Sequence, residues 1–159
     1  MTVSMQPFGE LVVHIDGTWN FSNGPISGRS CTSFREVVWE NDLFRARSVW
    51  ANGSYQTGLE VAEPNIRVLF QTDDDTLVYL DYLVRVHLPS HVLPVGTPGK
   101  SPALLSGRLE IDEAHPELAW LNRTQVIGDG TLDLDAQTQS YEMYVLRWPG
   151  DLGPLPTTE

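Results

Sequence analysis

Three small groups of side chains in this sequence are of types that can move protons or hold oxygen atoms. Asp73, Asp74 and Asp75 are consecutive. Carboxylates this close can share a proton or leave one with a raised pKa, which suits acid–base work, and their oxygens also suit Ca²⁺. The same run between two strands is equally an ordinary solvated turn. Trp120, Asn122 and Arg123 form the second group. An indole makes a flat apolar wall, an amide can hold a carbonyl or hydroxyl, and a guanidinium can bind a carboxylate or stabilise an enolate. Structurally, Trp120 can instead plug one end of the fold, with Asn122 capping a short helix and Arg123 pairing with an acid. The third group is Tyr82, in an apolar row, together with Glu142 and Tyr144 on one face of a late segment. A buried phenol can orient a substrate oxygen or rest in the core on a hydrogen-bond partner. Glu142 is a desolvated general base if its face points inward and a solvated side chain if it points outward.

Other chemistries lack their signatures. His14, His87, His91 and His115 show no metal-ligand spacing, and Cys31 is the single cysteine, so no metal is expected. No glycine-rich phosphate loop opens a helix and no Gly-x-Ser-x-Gly elbow occurs, so no cofactor is expected either. Cys31 lies in a polar stretch and reads as a half-buried small residue rather than a catalytic thiol. The net charge is −11, with one lysine, Lys100, and nine scattered arginines. Binding nucleic acid or an anionic membrane requires clustered positive charge, so neither is an expected partner. No apolar run approaches the roughly 20 residues of a membrane span. Residues 1–10 have neither a basic start nor an apolar stretch, so no signal peptide and a cytoplasmic location are expected.

The elements that position these residues are strands. Strand-like runs recur at 11–16, 31–39, 43–50, 55–61, 66–72, 76–87, 107–112, 122–127 and 141–147. Turn residues separate them, and Asn52-Gly53 is a strong hairpin signal because both residues accept positive φ. Gly128-Asp129-Gly130 reads as another turn. Residues 88–106 carry Pro89, Pro94, Pro98 and Pro102 and read as a long loop, a lid or a subunit contact. Residues 113–121 form the single plausible helix, with Pro116 in its first turn. Alternation places Val78, Leu80, Tyr82, Val84 and Val86 on one face, and likewise Ile66, Val68 and Phe70, and Leu11, Val13 and Ile15. With no helices to cover a second face, these apolar faces should point inward. The pattern predicts an all-β domain, a single antiparallel barrel of about eight strands with one short helix. The domain spans residues 1–150, and 151–159 form a Pro-rich tail.

Two blocks add a resemblance. Gln71-Thr-Asp-Asp-Asp-Thr-Leu-Val-Tyr79 resembles the Arg-Thr-Asp-Asp-Gly turn and strand of domain of unknown function 3237. His115-Pro-Glu-Leu-Ala-Trp-Leu-Asn-Arg-Thr124 resembles that family's Tyr-Ala-Trp-Leu-Asn-Arg-Thr element. Residues 141–146 resemble its last strand. Asp75 stands where the family has glycine, and its Gly-Gly-Ala-Asp-Trp motif has no counterpart here. The resemblance implies an eight-stranded barrel of the allene-oxide-cyclase type, often oligomeric, and it assigns no activity.

Three functions fit. The first is a cofactor-free isomerase, cyclase or lyase acting on a small apolar or aromatic molecule inside the barrel. Asp73, Asp74 or Glu142 would move the proton, Arg123 and Asn122 would hold the oxyanion, and Tyr82, Trp120 and Tyr144 would position the substrate. The second is a non-catalytic small-molecule binder. The third is a homo-oligomeric assembly protein whose lumen is filled by side chains.

Overall fold

A computed structural model describes residues 2–21, 28–56, 61–87 and 99–148. The predicted tail and residues 88–98 of the predicted loop, with His91, lie outside these residues. Nine strands follow in order: β1 (Ser4–Phe21), β2 (Arg29–Glu40), β3 (Arg45–Gln56), β4 (Val61–Ala62), β5 (Asn65–Thr72), β6 (Leu77–His87), β7 (Lys100–Ile111), β8 (Gln125–Asp133) and β9 (Thr138–Arg147). Eight of them close into an up-and-down antiparallel barrel, since each main strand pairs with the next and β9 pairs back onto β1. The two-residue β4 lies against the far end of β6. Closure leaves no bare edge on the barrel wall.

The inward faces are those that alternation selects. Leu11, Val13, Val37, Trp39, Val68, Phe70, Val78, Leu80, Val84, Leu105 and Val145 are fully buried. Paired residues trace a ring from Thr18 through Thr32, Gly53, Ile66, Tyr82, Gly107, Val126 and Val145 to Gln6. The ring returns to β1 twelve residues from its start (18 − 6), and the pairings of β1 carry three register shifts within that span. Such a stagger tilts the strands. An eight-stranded barrel is either just filled by side chains or holds one small ligand. One shift is a bulge at Gly9, whose φ is 82°; a Cβ there would lie 1.9 Å from the Glu40 carbonyl oxygen. Glycine is the residue that both the conformation and the space admit.

Four expectations need correction. Asn52-Gly53 is not a hairpin turn but lies inside β3, opposite Arg67 and Ile66. Gly53 is selected for room: a Cβ would stand 3.1 Å from the Phe34 ring. Gly128-Asp129-Gly130 likewise belongs to β8, and a Cβ on Gly130 would come within 2.4 Å of the Tyr141 ring. The expected loop ends at Lys100, and Pro102 is in β7. It lies past the last β6–β7 pair, Val86 with Ala103, where a missing N–H breaks no ladder bond. The helix is shorter than its sequence pattern, with α1 (Pro116–Ala119) running into a 3₁₀ turn over Trp120–Arg123.

Candidate functional site

The two ends of the lumen differ. At one end the α1–3₁₀ segment lies across the opening. Phe8 meets Trp39, Phe44 and Trp120 edge to face at 5.5, 6.1 and 6.5 Å between ring centres. Leu118 and Leu121 are buried beneath the segment. Trp39 Nε1 donates to the Phe8 carbonyl at 3.2 Å, so the indole carries no buried orphan donor. The Arg147 guanidinium sits 5.2 Å above the Trp120 ring and donates to Gln6 Oε1, a cation–π contact.

Three sequence candidates belong to this plugged end. Trp120 is half-buried and part of the plug. Asn122 spends its amide on one backbone residue: Oδ1 accepts from Ile111 N at 2.7 Å, and Nδ2 donates to Ile111 O at 2.8 Å. It thereby ties the 3₁₀ turn to the end of β7 and does not cap α1. Arg123 is exposed. Asp73 and Asp74 occupy the β5–β6 turn, both exposed. Thr72 Oγ1 donates to Asp74, and that bond first among other causes lowers the Asp74 pKa. Such a carboxylate is a weaker base, the opposite of what proton abstraction requires. Asp75 adopts φ 67° and accepts from Gln71 Nε2 at 3.0 Å, so the cluster is built as a turn.

β9 resolves the face left open by sequence. Tyr141, Met143 and Val145 point inward, so Glu142 and Tyr144 face outward. The Tyr144 hydroxyl donates to Glu142 Oε2 at 3.2 Å, and that contact raises the Tyr144 pKa. Glu142 also stands in a row of directly paired outer carboxylates, Asp129, Glu142, Glu10 and Glu40. Cys31 is exposed rather than half-buried, because its neighbours Ser30 and Thr32 take the inward positions of β2.

The opposite end is lined differently. Thr18, Thr32, Phe34, Ala51, Tyr55 and Leu132 take inward positions yet are half-buried. Thr18 Oγ1 and Thr32 Oγ1 are 3.4 Å apart. Ser30 is fully buried and donates to Asn20 Oδ1. Deeper in, the Tyr141 hydroxyl donates to Gln139 Oε1 at 2.9 Å. Tyr82, as expected, is inward and buried, but its hydroxyl has no hydrogen-bond partner. Burial pushes the Tyr82 and Tyr141 pKa values up, so both phenols are donors at neutral pH. Among the described residues this end of the lumen presents hydroxyls, amides and apolar groups and no carboxylate, cation or imidazole. Sequence reasoning missed Thr18, Thr32, Phe34, Ala51 and Leu132, because no motif marks them.

Among the described residues no three His, Cys, Asp or Glu side chains gather as metal ligands, and no helix is long and apolar enough to cross a membrane. A closed up-and-down barrel with one plugged end and one polar-rimmed end defines the class. The chain belongs to the family described as protein of unknown function (DUF3237), matched over residues 3–146. No curated protein matches it. The fold is similar to that of a conserved protein of unknown function from Rhodopseudomonas palustris, at 14% identity and TM-score 0.79, covering 92% of this chain and 99% of that one. It is also similar to a β-barrel-like protein from Acinetobacter baumannii, at 18% identity and TM-score 0.74, covering 92% and 98%. An enzyme from Penicillium herquei shares it at 9% identity and TM-score 0.65, covering 92% and 96%.

Proposed function

We propose that the protein binds a small, uncharged, mainly apolar or aromatic molecule in the open half of its barrel. The observation that carries this reading is the difference in burial between the two ends. Inward residues below the plug are sealed, whereas at the other end Thr18, Thr32, Phe34, Ala51, Tyr55 and Leu132 point inward and keep contact with solvent, beside the buried Ser30, Val86, Ser101, Ala103 and Gln139. The lining supplies apolar walls with a few hydroxyls, the usual composition of a small-molecule site. It supplies no charge to offset the desolvation of an ion.

A catalytic version is supported by one observation, the buried Tyr82 hydroxyl without a partner. In that version Tyr82 donates a hydrogen bond to the developing oxyanion of an isomerase, cyclase or lyase step that needs no cofactor, and burial, by raising its pKa, keeps its proton in place. Asp73, Asp74, Arg123 and Glu142 take no part, because they lie outside the lumen. The Penicillium herquei neighbour is described as an enzyme, which keeps this version open for the fold.

Native mass spectrometry of the purified protein, followed by denaturation and identification of any released molecule, tests the binding reading. Wild type is expected to carry or take up a neutral aromatic compound. Ala51→Trp, which fills the recess from its wall, is expected to lose it with little change in Tm. A wild-type protein that carries nothing and takes up none of a panel of neutral aromatic compounds would overturn the reading.

A further inference from the structure

Two of the three inward tyrosines, Tyr82 and Tyr141, are fully buried, and they are not equivalent. Tyr141 donates to Gln139. Tyr82 is 1% exposed and its hydroxyl is left without a partner. Buried hydroxyls in folded proteins almost always have one, so an orphan requires an explanation. Packing does not supply it. The other inward positions of β6 are Val78, Leu80, Val84 and Val86, and phenylalanine would fill the same space as the Tyr82 ring. The paired Gly107 is set by the strand rather than by the ring, since a Cβ there would lie 2.7 Å from Tyr82 Cβ and 3.0 Å from the Asp81 carbonyl oxygen whatever side chain stood at 82. The hydroxyl is thus buried in the barrel with no partner to receive its proton.

We propose that the Tyr82 hydroxyl is a donor reserved for the acceptor oxygen of a neutral ligand, a carbonyl or ether on an otherwise flat apolar molecule. This rests on the open half of the barrel being a binding recess. Hydrocarbons would leave the hydroxyl unpaired, and carboxylates would enter a desolvated wall with no cation to meet them. The phenol keeps its proton through the physiological pH range because burial, with Tyr141 adding to it, raises its pKa. The hydroxyl is closed over in the empty barrel, so a ligand reaches it by displacing a side chain.

The test pairs the neutral ketone dye prodan with its ketone-free parent, dimethylaminonaphthalene, against wild type and Tyr82→Phe. Wild type is expected to bind prodan roughly fivefold more tightly than the parent, the worth of one net hydrogen bond, with the emission shift of a hydrogen-bonded ketone. Tyr82→Phe should erase that preference by weakening prodan alone, and its Tm without dye should equal or exceed that of wild type. A ketone preference that survives in Tyr82→Phe would overturn the proposal. So would a Tm lowered by several degrees, which would mean that the hydroxyl already has a partner such as a buried water. If both dyes bind both proteins equally, the recess stands and the donor role falls. If neither dye binds wild type, the recess itself is refuted.

Discussion

The plugged end and the open end of the barrel are made from the same eight strands, yet they use polar groups differently. At the plug most polar tips are consumed within the protein, Trp39 on the Phe8 carbonyl, Asn122 on both backbone atoms of Ile111, Arg147 on Gln6 and the face of Trp120, and Asn41 Nδ2 in the β2–β3 turn is the buried donor left over. Toward the open end one phenol is left over, and several inward side chains keep contact with solvent. The lesson is that residue type does not separate a binding group from a structural one. Trp120, Asn122 and Arg123 look like a site by chemistry, but two of them close the barrel and Arg123 lies on its surface.

The contrast can be broken at its strongest point first. Trp39→Ala removes a fully buried ring from the aromatic cluster under the plug and should cost about 3–5 kcal/mol. Phe34→Ala removes a half-buried ring at the open end and should cost less than half as much. Urea unfolding of the two variants compares the ends directly, and equal losses would remove the distinction. Next, Asn122→Ala leaves the Ile111 N–H and carbonyl without their side-chain partner and should cost about 1–3 kcal/mol, while leaving dye binding at the other end unchanged. A loss of dye binding would mean that the ends are coupled. The smallest effect is on the outer wall. Directly opposed like charges destabilise an antiparallel pair, and a matched pair contributes roughly 0.2–1 kcal/mol. Glu142→Lys, placed between Asp129 and Glu10, should therefore raise Tm slightly. An unchanged or lower Tm would show that the Tyr144 contact outweighs the relief.

Much of the fold is legible in the sequence, because period-two alternation in β1, β5 and β6 states which side chains go inside. What alternation cannot supply is the count across bulges. In β2 the inward residues are Thr32 and Phe34 on one side of the register shift and Val37 and Trp39 on the other, so a single parity fails there. Glycine misled for a related reason. Asn52-Gly53 and Gly128-Asp129-Gly130 have turn chemistry, but Gly53 and Gly130 are there to make room for Phe34 and Tyr141 on the neighbouring strand, a cross-strand contact that local sequence does not reveal. The inward position of Tyr82 was legible, because it sits in a clean apolar row. The orientation was not legible at Glu142 and Tyr144, whose face depends on how β9 meets β1. Nor was it legible at Thr18, Ala51 and Leu132, whose solvent contact appears only once the wall is closed.

Closure by β1 and β9 joins Ser4 to Arg147, whereas the other main strands pair with their neighbours in the chain. During synthesis the wall grows as a succession of hairpins, each able to form as its second strand emerges. The ring cannot shut until the final strand is present. Until then the nascent molecule is a curved sheet with two bare edges, the state most exposed to pairing with another chain. The acidic row contributed by β8, β9, β1 and β2 spans that seam, so its repulsion acts on these two edges whether they meet each other or another copy of the chain.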